Sequence, residues 1–250
     1  MSPTHNGAIA VVTGGGQGIG AAICRALAER GARVAVLDMD ADAARRVAQD
    51  IGGMSARCDV ADWAAVDAAC SAVEQALGRP GILVNNAGIS PKHDGAPAPV
   101  FEMDPAEWAR VVGVNLSGAF HCVRRLTPGM MAAGRGRIVN QSSVAANAYV
   151  PFVGAHYAAT KAALVGLTRH LAGELGPHGI TVNAIAPGRI DTPLMRTVAG
   201  GVNDAIVEAT PLRRLGTAEE VAAMACVLTG PDTLFVTGQT VDVAGGWLMT

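Results

Sequence analysis

Residues 13–20 read Thr-Gly-Gly-Gly-Gln-Gly-Ile-Gly, wedged between an apolar run at 9–12 and a helix-period run at 18–30. The apolar stripe of that helix holds Ile19, Ile23, Ala26 and Leu27. A glycine-dense turn joining a strand to a helix lets the two pack closely, which suits a layered α/β arrangement. The same alternation of short apolar runs with longer helical runs continues along the chain. It predicts strands at 34–37, 54–58, 82–85, 137–142, 181–186 and 241–243. Helices are predicted at 42–51 (opened by an Asp cap), 63–77, 105–133 and 156–175. Another spans 217–228, with Thr217 as cap and Glu220 at the capping-box position. The long helix is expected to bend at Gly118 or Pro128. Residues 188–209 have weak periodicity and a Gly200-Gly201 pair, and read as a mobile lid. The prediction is a single-domain, doubly wound Rossmann fold, α/β, with a parallel sheet of about seven strands and helices on both faces.

Composition narrows the function. Half of the 250 residues are hydrophobic, enough to bury a sizeable core, and only 16% are charged, with a net charge of −2. That offers no basic field for nucleic acid or an anionic membrane. Cys24, Cys58, Cys70, Cys122 and Cys226 are scattered and odd in number, without a CxxC pair. They predict neither a disulfide framework nor a zinc cluster, and the six His lack ligand spacing, so no metal site is expected. The N-terminal stretch lacks a basic segment followed by a long apolar run. No run is long enough to span a bilayer. A cytoplasmic chain that does not engage membranes is the expectation.

The glycine loop has a chemical reading. Gly14 permits the tight turn, Gly18 lets a phosphate approach backbone N–H groups, and Gly20 lets helix meet sheet. Free donors and the dipole at the helix start suit a dinucleotide pyrophosphate, with Gln17 and Ile19 in the same loop. Asp38 closes the second strand. A carboxylate there accepts ribose hydroxyls and repels a 2′-phosphate, and neither Gln17 nor Met39 is basic. NAD(H) is therefore expected over NADP(H). A plain glycine turn and a strand-end cap are the bland alternatives.

Ser143, Tyr157 and Lys161 form a second constellation. The last two are four apart, hence on one face of a helix. A cation beside a phenol favours the phenolate and gives an acid–base group usable near neutral pH.

These motifs together resemble the short-chain dehydrogenase/reductase family, in its compact type that includes 3-oxoacyl-ACP reductases and polyol dehydrogenases. The resemblance rests on TGGGQGIG, Asp59-Val60, Asn85-Asn86-Ala87-Gly88, Asn115, Ser143, Tyr157-xxx-Lys161 and Pro187-Gly188, in that order over nearly the whole chain. It implies adenine contacts from Asp59 and Val60, and ribose contacts from Asn86, Ala87 and Gly88. Pro187, Gly188, Ile190 and Thr192 would hold the nicotinamide end, and Met39 would border the cofactor beside Asp38. It implies Tyr157 as proton donor or base, with Lys161 holding the nicotinamide ribose. Lys161, and the charge of the oxidised cofactor, would lower the phenol's pKa. Ser143 would bind the substrate oxygen, and Asn115 would hold a water in a proton relay. A homotetramer built on the helices at 105–133 and 156–175 is also implied.

The reaction expected is hydride transfer between nicotinamide and a secondary alcohol or ketone. A small polyol, sugar derivative or hydroxy acid is the expected substrate. A 3-oxoacyl thioester reductase and a non-catalytic nicotinamide-binding sensor or scaffold stand as alternatives. Val144 and Phe152 are expected to wall the substrate pocket. Lys92, His93 and Arg189 read either as solvated loop charges or as cations that meet an anionic substrate group.

Overall fold

Seven short strands pair in parallel throughout, because each is returned to the same edge by a helix that covers its apolar side. They are β1 (Ile9–Thr13), β2 (Arg33–Asp38), β3 (Met54–Arg57), β4 (Ile82–Asn85), β5 (Gly136–Gln141), β6 (Ile180–Pro187) and β7 (Thr240–Val243). The computed structural model describes residues 4–193, 195 and 202–249. The sheet order is β3-β2-β1-β4-β5-β6-β7. Every neighbouring pair is parallel. The order reverses between β1 and β4. Chains leaving those two tips diverge to opposite faces and open a crevice there.

The helices are α1 (Gly18–Glu29), α2 (Ala41–Asp50), α3 (Trp63–Leu77), α4 (Pro105–Val112), α5 (Gly118–Ala132), α6 (Ala155–Leu175), α7 (Val202–Ala209) and α8 (Ala218–Thr229). One core layer packs Ile23 and Leu27 of α1 and Val221 and Ala225 of α8 on Val12, Val36 and Ile185. The other packs Val66 and Val73 of α3, Leu126 of α5 and Leu171 of α6 on Val11, Leu83 and Val182. A third, small cluster of Val144, Ala145 and Val150 gathers Phe152, Tyr157 and Trp247 at the C-terminal ends of the strands. No helix among the described residues is long and apolar enough to cross a membrane.

The expected elements are present, with ends shifted by a residue or so. The cap of α2 is Asp40, whose carboxylate accepts from the Asp42 and Ala43 N–H groups at 3.0 Å. Thr217 and Glu220 form the expected capping box. The long helix at 105–133 is corrected. It is interrupted by a five-residue π-helical turn, Gly113–Ser117, just ahead of the expected bend. Gly118 serves close approach: a Cβ there would stand 2.6 Å from Val60 Cγ2. Pro128 lies inside α5. Residues 188–209 are not uniformly aperiodic, since α7 occupies their end. Gly200 and Gly201 fall outside the described residues.

Gly20 shows why the first helix can start so close to the sheet. A Cβ there would stand 2.0 Å from Gly14 O and 2.5 Å from Asn86 Nδ2. Gly20→Ala is expected to cost about 1–3 kcal/mol or more through backbone displacement, measured by urea denaturation. Wild-type stability in that variant would contradict the packing described.

Candidate active site

The tips of β1 and β4 are tied together first. Asn86 Nδ2 donates to Thr13 O at 3.1 Å and to Gly14 O at 2.9 Å. Thr13 Oγ1 accepts from the Asn86 and Ala87 N–H groups at 3.1 and 3.2 Å. These bonds hold the glycine loop in a fixed curve, with Gly14 at φ +61°. Asp38 supports the loop from β2: its Oδ2 accepts from Gly16 N–H at 2.9 Å and its Oδ1 from Asp40 N–H at 3.0 Å. At the start of α1, Gln17 makes no side-chain cap and the first turn carries no acid. The leading N–H groups there suit the anionic pyrophosphate of a dinucleotide.

The second set comes from β5 and α6. Ser143 follows β5 and accepts from Ala145 N–H at 3.2 Å. Lys161 is only 3% exposed. Its Nζ donates to Gln141 O at 2.6 Å and lies 5.5 Å from the centre of the Tyr157 ring. Gly88 makes room beside it: a Cβ there would stand 3.4 Å from Lys161 Nζ and 3.5 Å from Asn115 Oδ1. Asn115 sits in the π-helical turn. It accepts from Ile89 N–H at 2.8 Å, and its Nδ2 donates to Ile89 O at 3.0 Å and Thr160 Oγ1 at 3.2 Å. Thr160 in turn donates to Tyr157 O at 2.8 Å, which links the β4 loop to the tyrosine's own turn.

Burial dominates the electrostatics of this pair. Burial raises Tyr157 above its ordinary value of 10.0, and a hydrogen bond with Ser143 pulls it partly back. Burial also lowers Lys161 to about 8.

The two sets share one cleft of about 590 Å³. Lining it are Gly14, Gln17, Gly18, Ile19, Gly20, Asp38, Met39, Asp59, Val60, Asn86, Ala87, Gly88, Pro187, Gly188, Ile190 and Thr192, with Tyr157 and Lys161. Ser143, Val144, Phe152, Lys92 and Arg189 line it too. Asn115 lies behind it. His93 does not line it: its ring bonds Glu107 at 2.8 Å, because the loop pairs back on itself at His93 and Ala96. Among the described residues no group of three or more His, Cys, Asp or Glu is placed to hold a metal ion.

Among the lining residues that sequence reasoning missed are Trp247 and Gln141. Trp247 stacks on Phe152 at 6.2 Å, with 13° between the planes, and no local pattern announced it. Gln141 is 5% exposed, and neither atom of its side-chain amide has a partner. A polar side chain in the apolar 137–142 run was the available signal.

A family model described as enoyl-(acyl carrier protein) reductase matches residues 14–248. A 2-dehydro-3-deoxy-L-rhamnonate dehydrogenase (NAD(+)) from Sphingomonas sp. strain SKA58 is 36% identical, over 97% of this chain and 96% of its own. A galactitol 2-dehydrogenase (L-tagatose-forming) from Cereibacter sphaeroides is 38% identical, over 97% and 95%. A solved 3-oxoacyl-[acyl-carrier protein] reductase with bound NAD from Brucella melitensis is 48% identical with a TM-score of 0.93, over 100% of this chain and 94% of its own. The fold, the cleft and these similarities define a nicotinamide-dependent oxidoreductase acting on CH–OH groups. The chain belongs to the short-chain dehydrogenase/reductase family.

Removing the unpartnered amide of Gln141 has a defined consequence. Gln141→Met is expected to stabilise the cofactor-free protein by about 1 kcal/mol, since a buried unsatisfied amide costs roughly 1–3 kcal/mol. The check is a denaturant midpoint, and a lowered midpoint would contradict it.

Proposed function

We propose that this chain uses NAD⁺ to oxidise a secondary alcohol of a small polyol, sugar derivative or hydroxy acid, and NADH to reduce the matching ketone. The observation that carries this reading is the Ser143–Tyr157 pair of hydroxyls above buried Lys161, in the cleft that also holds Asp38. Bound cofactor supplies or accepts the hydride. Tyr157 gives a proton to the substrate oxygen in reduction and takes it in oxidation. Ser143 donates to the same oxygen and fixes its direction. Lys161, anchored on Gln141 O, holds the nicotinamide ribose, and Asn115 with Ile89 O carries the proton path onward through water.

The preference for NAD(H) rests on Asp38. Its carboxylate stands at the tip of β2, and neither Gln17 nor Met39 brings a positive charge to offset a 2′-phosphate. Reduction of a 3-oxoacyl thioester is the second reading, favoured by the 48% identity to the Brucella melitensis reductase. A homotetramer is proposed from the apolar side chains exposed along α4 and α5, namely Trp108, Phe120 and Met131. Cytoplasmic residence is supported by five buried, unpaired cysteines. Residues 188–193, 195 and 202–209 are proposed as part of the substrate cover; 194 and 196–201 lie outside the described residues.

Steady-state assays of NAD⁺ reduction against polyols, aldonic acids and hydroxyacyl thioesters test the reading. Tyr157→Phe is expected to lose at least roughly 10²–10⁴-fold in turnover while still binding NADH, and near-normal turnover would overturn the assignment. With NADP⁺, kcat/KM should fall below that with NAD⁺; the reverse order would remove the role given to Asp38.

The phenol's raised pKa also sets a sign. Oxidation needs the phenolate, so kcat/KM for alcohol oxidation should climb as pH rises through the alkaline range. Ketone reduction needs the phenol, so it should fall over the same range. Profiles measured in both directions check this, and a flat oxidation profile from about pH 7 to 10 would contradict it.

A further inference from the structure

Two cations line the cleft without a carboxylate salt bridge among the described residues. Lys92 sits on the loop after β4 and Arg189 on the loop after β6. These strands flank β5, whose end carries Ser143, so the two loops stand on either side of the one that carries that hydroxyl. Lys92 Nζ donates only to neutral groups: Ser90 Oγ at 2.8 Å, Ser90 O at 3.1 Å and Pro91 O at 3.4 Å. Arg189 Nε donates to Asn203 Oδ1 at 2.8 Å and an Nη to Met195 O at 3.3 Å. Its guanidinium lies 4.5 Å over the Phe152 ring. Neither is in a salt bridge with a carboxylate among the described residues.

The carboxylate whose field reaches Lys92 is already engaged. Glu107 bonds buried His156 at 3.0 Å through one oxygen and His93 at 2.8 Å through the other. Burial and the charge of Arg189 together lower Lys92 to about 8. Bringing two like charges into a partly dry cleft is unfavourable unless an anion joins them. A neutral polyol needs neither charge.

We propose that Lys92 and Arg189 form an anion subsite, and that the substrate is a small hydroxy compound carrying a carboxylate or a phosphate ester beside the alcohol that reacts. The inference rests on the oxidoreductase reading above and names its substrate class. Arg189, held by Asn203 and braced on Phe152, presents a preformed planar fork. Lys92 adds a point charge that an arriving anion would strengthen.

The test compares C4–C6 aldonates and alditol phosphates with neutral alditols of the same length. Binding to the NADH-loaded protein is read by isothermal titration calorimetry, and turnover by NAD⁺ reduction. Wild type should bind an anionic compound at least ~10-fold more tightly than its alditol. Lys92→Gln and Arg189→Gln should each weaken that binding roughly 10- to 100-fold, leaving alditol binding unchanged. Lys92→Arg should retain most of the affinity, which separates lost charge from a folding defect. The subsite is overturned if no anionic compound binds, if anions and alditols bind alike, or if the Gln variants weaken both equally. Anion binding that depends on these charges without turnover would support the subsite while removing the oxidoreductase reading. Turnover of alditols, with no tighter binding of any anionic compound in wild type, would do the reverse.

Discussion

Burial of one ammonium organises the active end of this molecule. Lys161 Nζ is tied to the carbonyl of Gln141 and flanked by the bare backbone of Gly88 and the amide of Asn115. A buried cation needs such company, since an unpaired charge away from water costs several kcal/mol. Each companion comes from a different element. The β5 strand must end with its carbonyl facing α6, the β4 loop must lack a side chain, and the α4–α5 column must turn an asparagine inward. The π-helical turn at Gly113–Ser117 accomplishes the last, because an extra residue in a helical turn re-aims the side chains that follow.

The same economy of linked parts governs the cofactor half. Thr13 and Asn86 bind one another's loops, so the glycine turn after β1 and the loop after β4 are shaped as one unit. Asn115 then reaches the backbone of Ile89, in the same β4 loop, and Thr160 reaches back to Tyr157. A continuous set of hydrogen bonds therefore runs from the glycine loop to the tyrosine's turn. The arrangement gives physical content to a cleft that the glycine loop and Tyr157 line together. Lys92 and Arg189, without a carboxylate salt bridge among the described residues, stand apart from this set and line the cleft.

Much of this was legible in the residues alone. The glycine spacing, Asp38 at a strand end, and Tyr157 and Lys161 on one helical face are local signals. Strand and helix positions followed from periodicity, with ends misjudged by about a residue because capping geometry is decided locally by side chains such as Asp40. The break at 113–117 was misplaced, since a π-turn leaves no mark in hydrophobic spacing. His93 was grouped with Lys92 by adjacency, yet a short backbone pairing directs it to Glu107 instead. Burial, which raises the Tyr157 phenol and lowers the Lys161 ammonium, likewise leaves no mark in the spacing of the two residues.

By itself the sequence determined the layered α/β architecture, the family, and which glycine-loop, serine, tyrosine and lysine residues line one cleft. Those depend on period, turn chemistry and residue type, which are local and survive without coordinates. The tertiary structure alone decided which charges are satisfied. Lys161 and Glu107 find partners, while Lys92 and Arg189 are left facing the cleft. Solvation is a property of the assembled surroundings, contributed by residues far apart along the chain, and no stretch of sequence contains it.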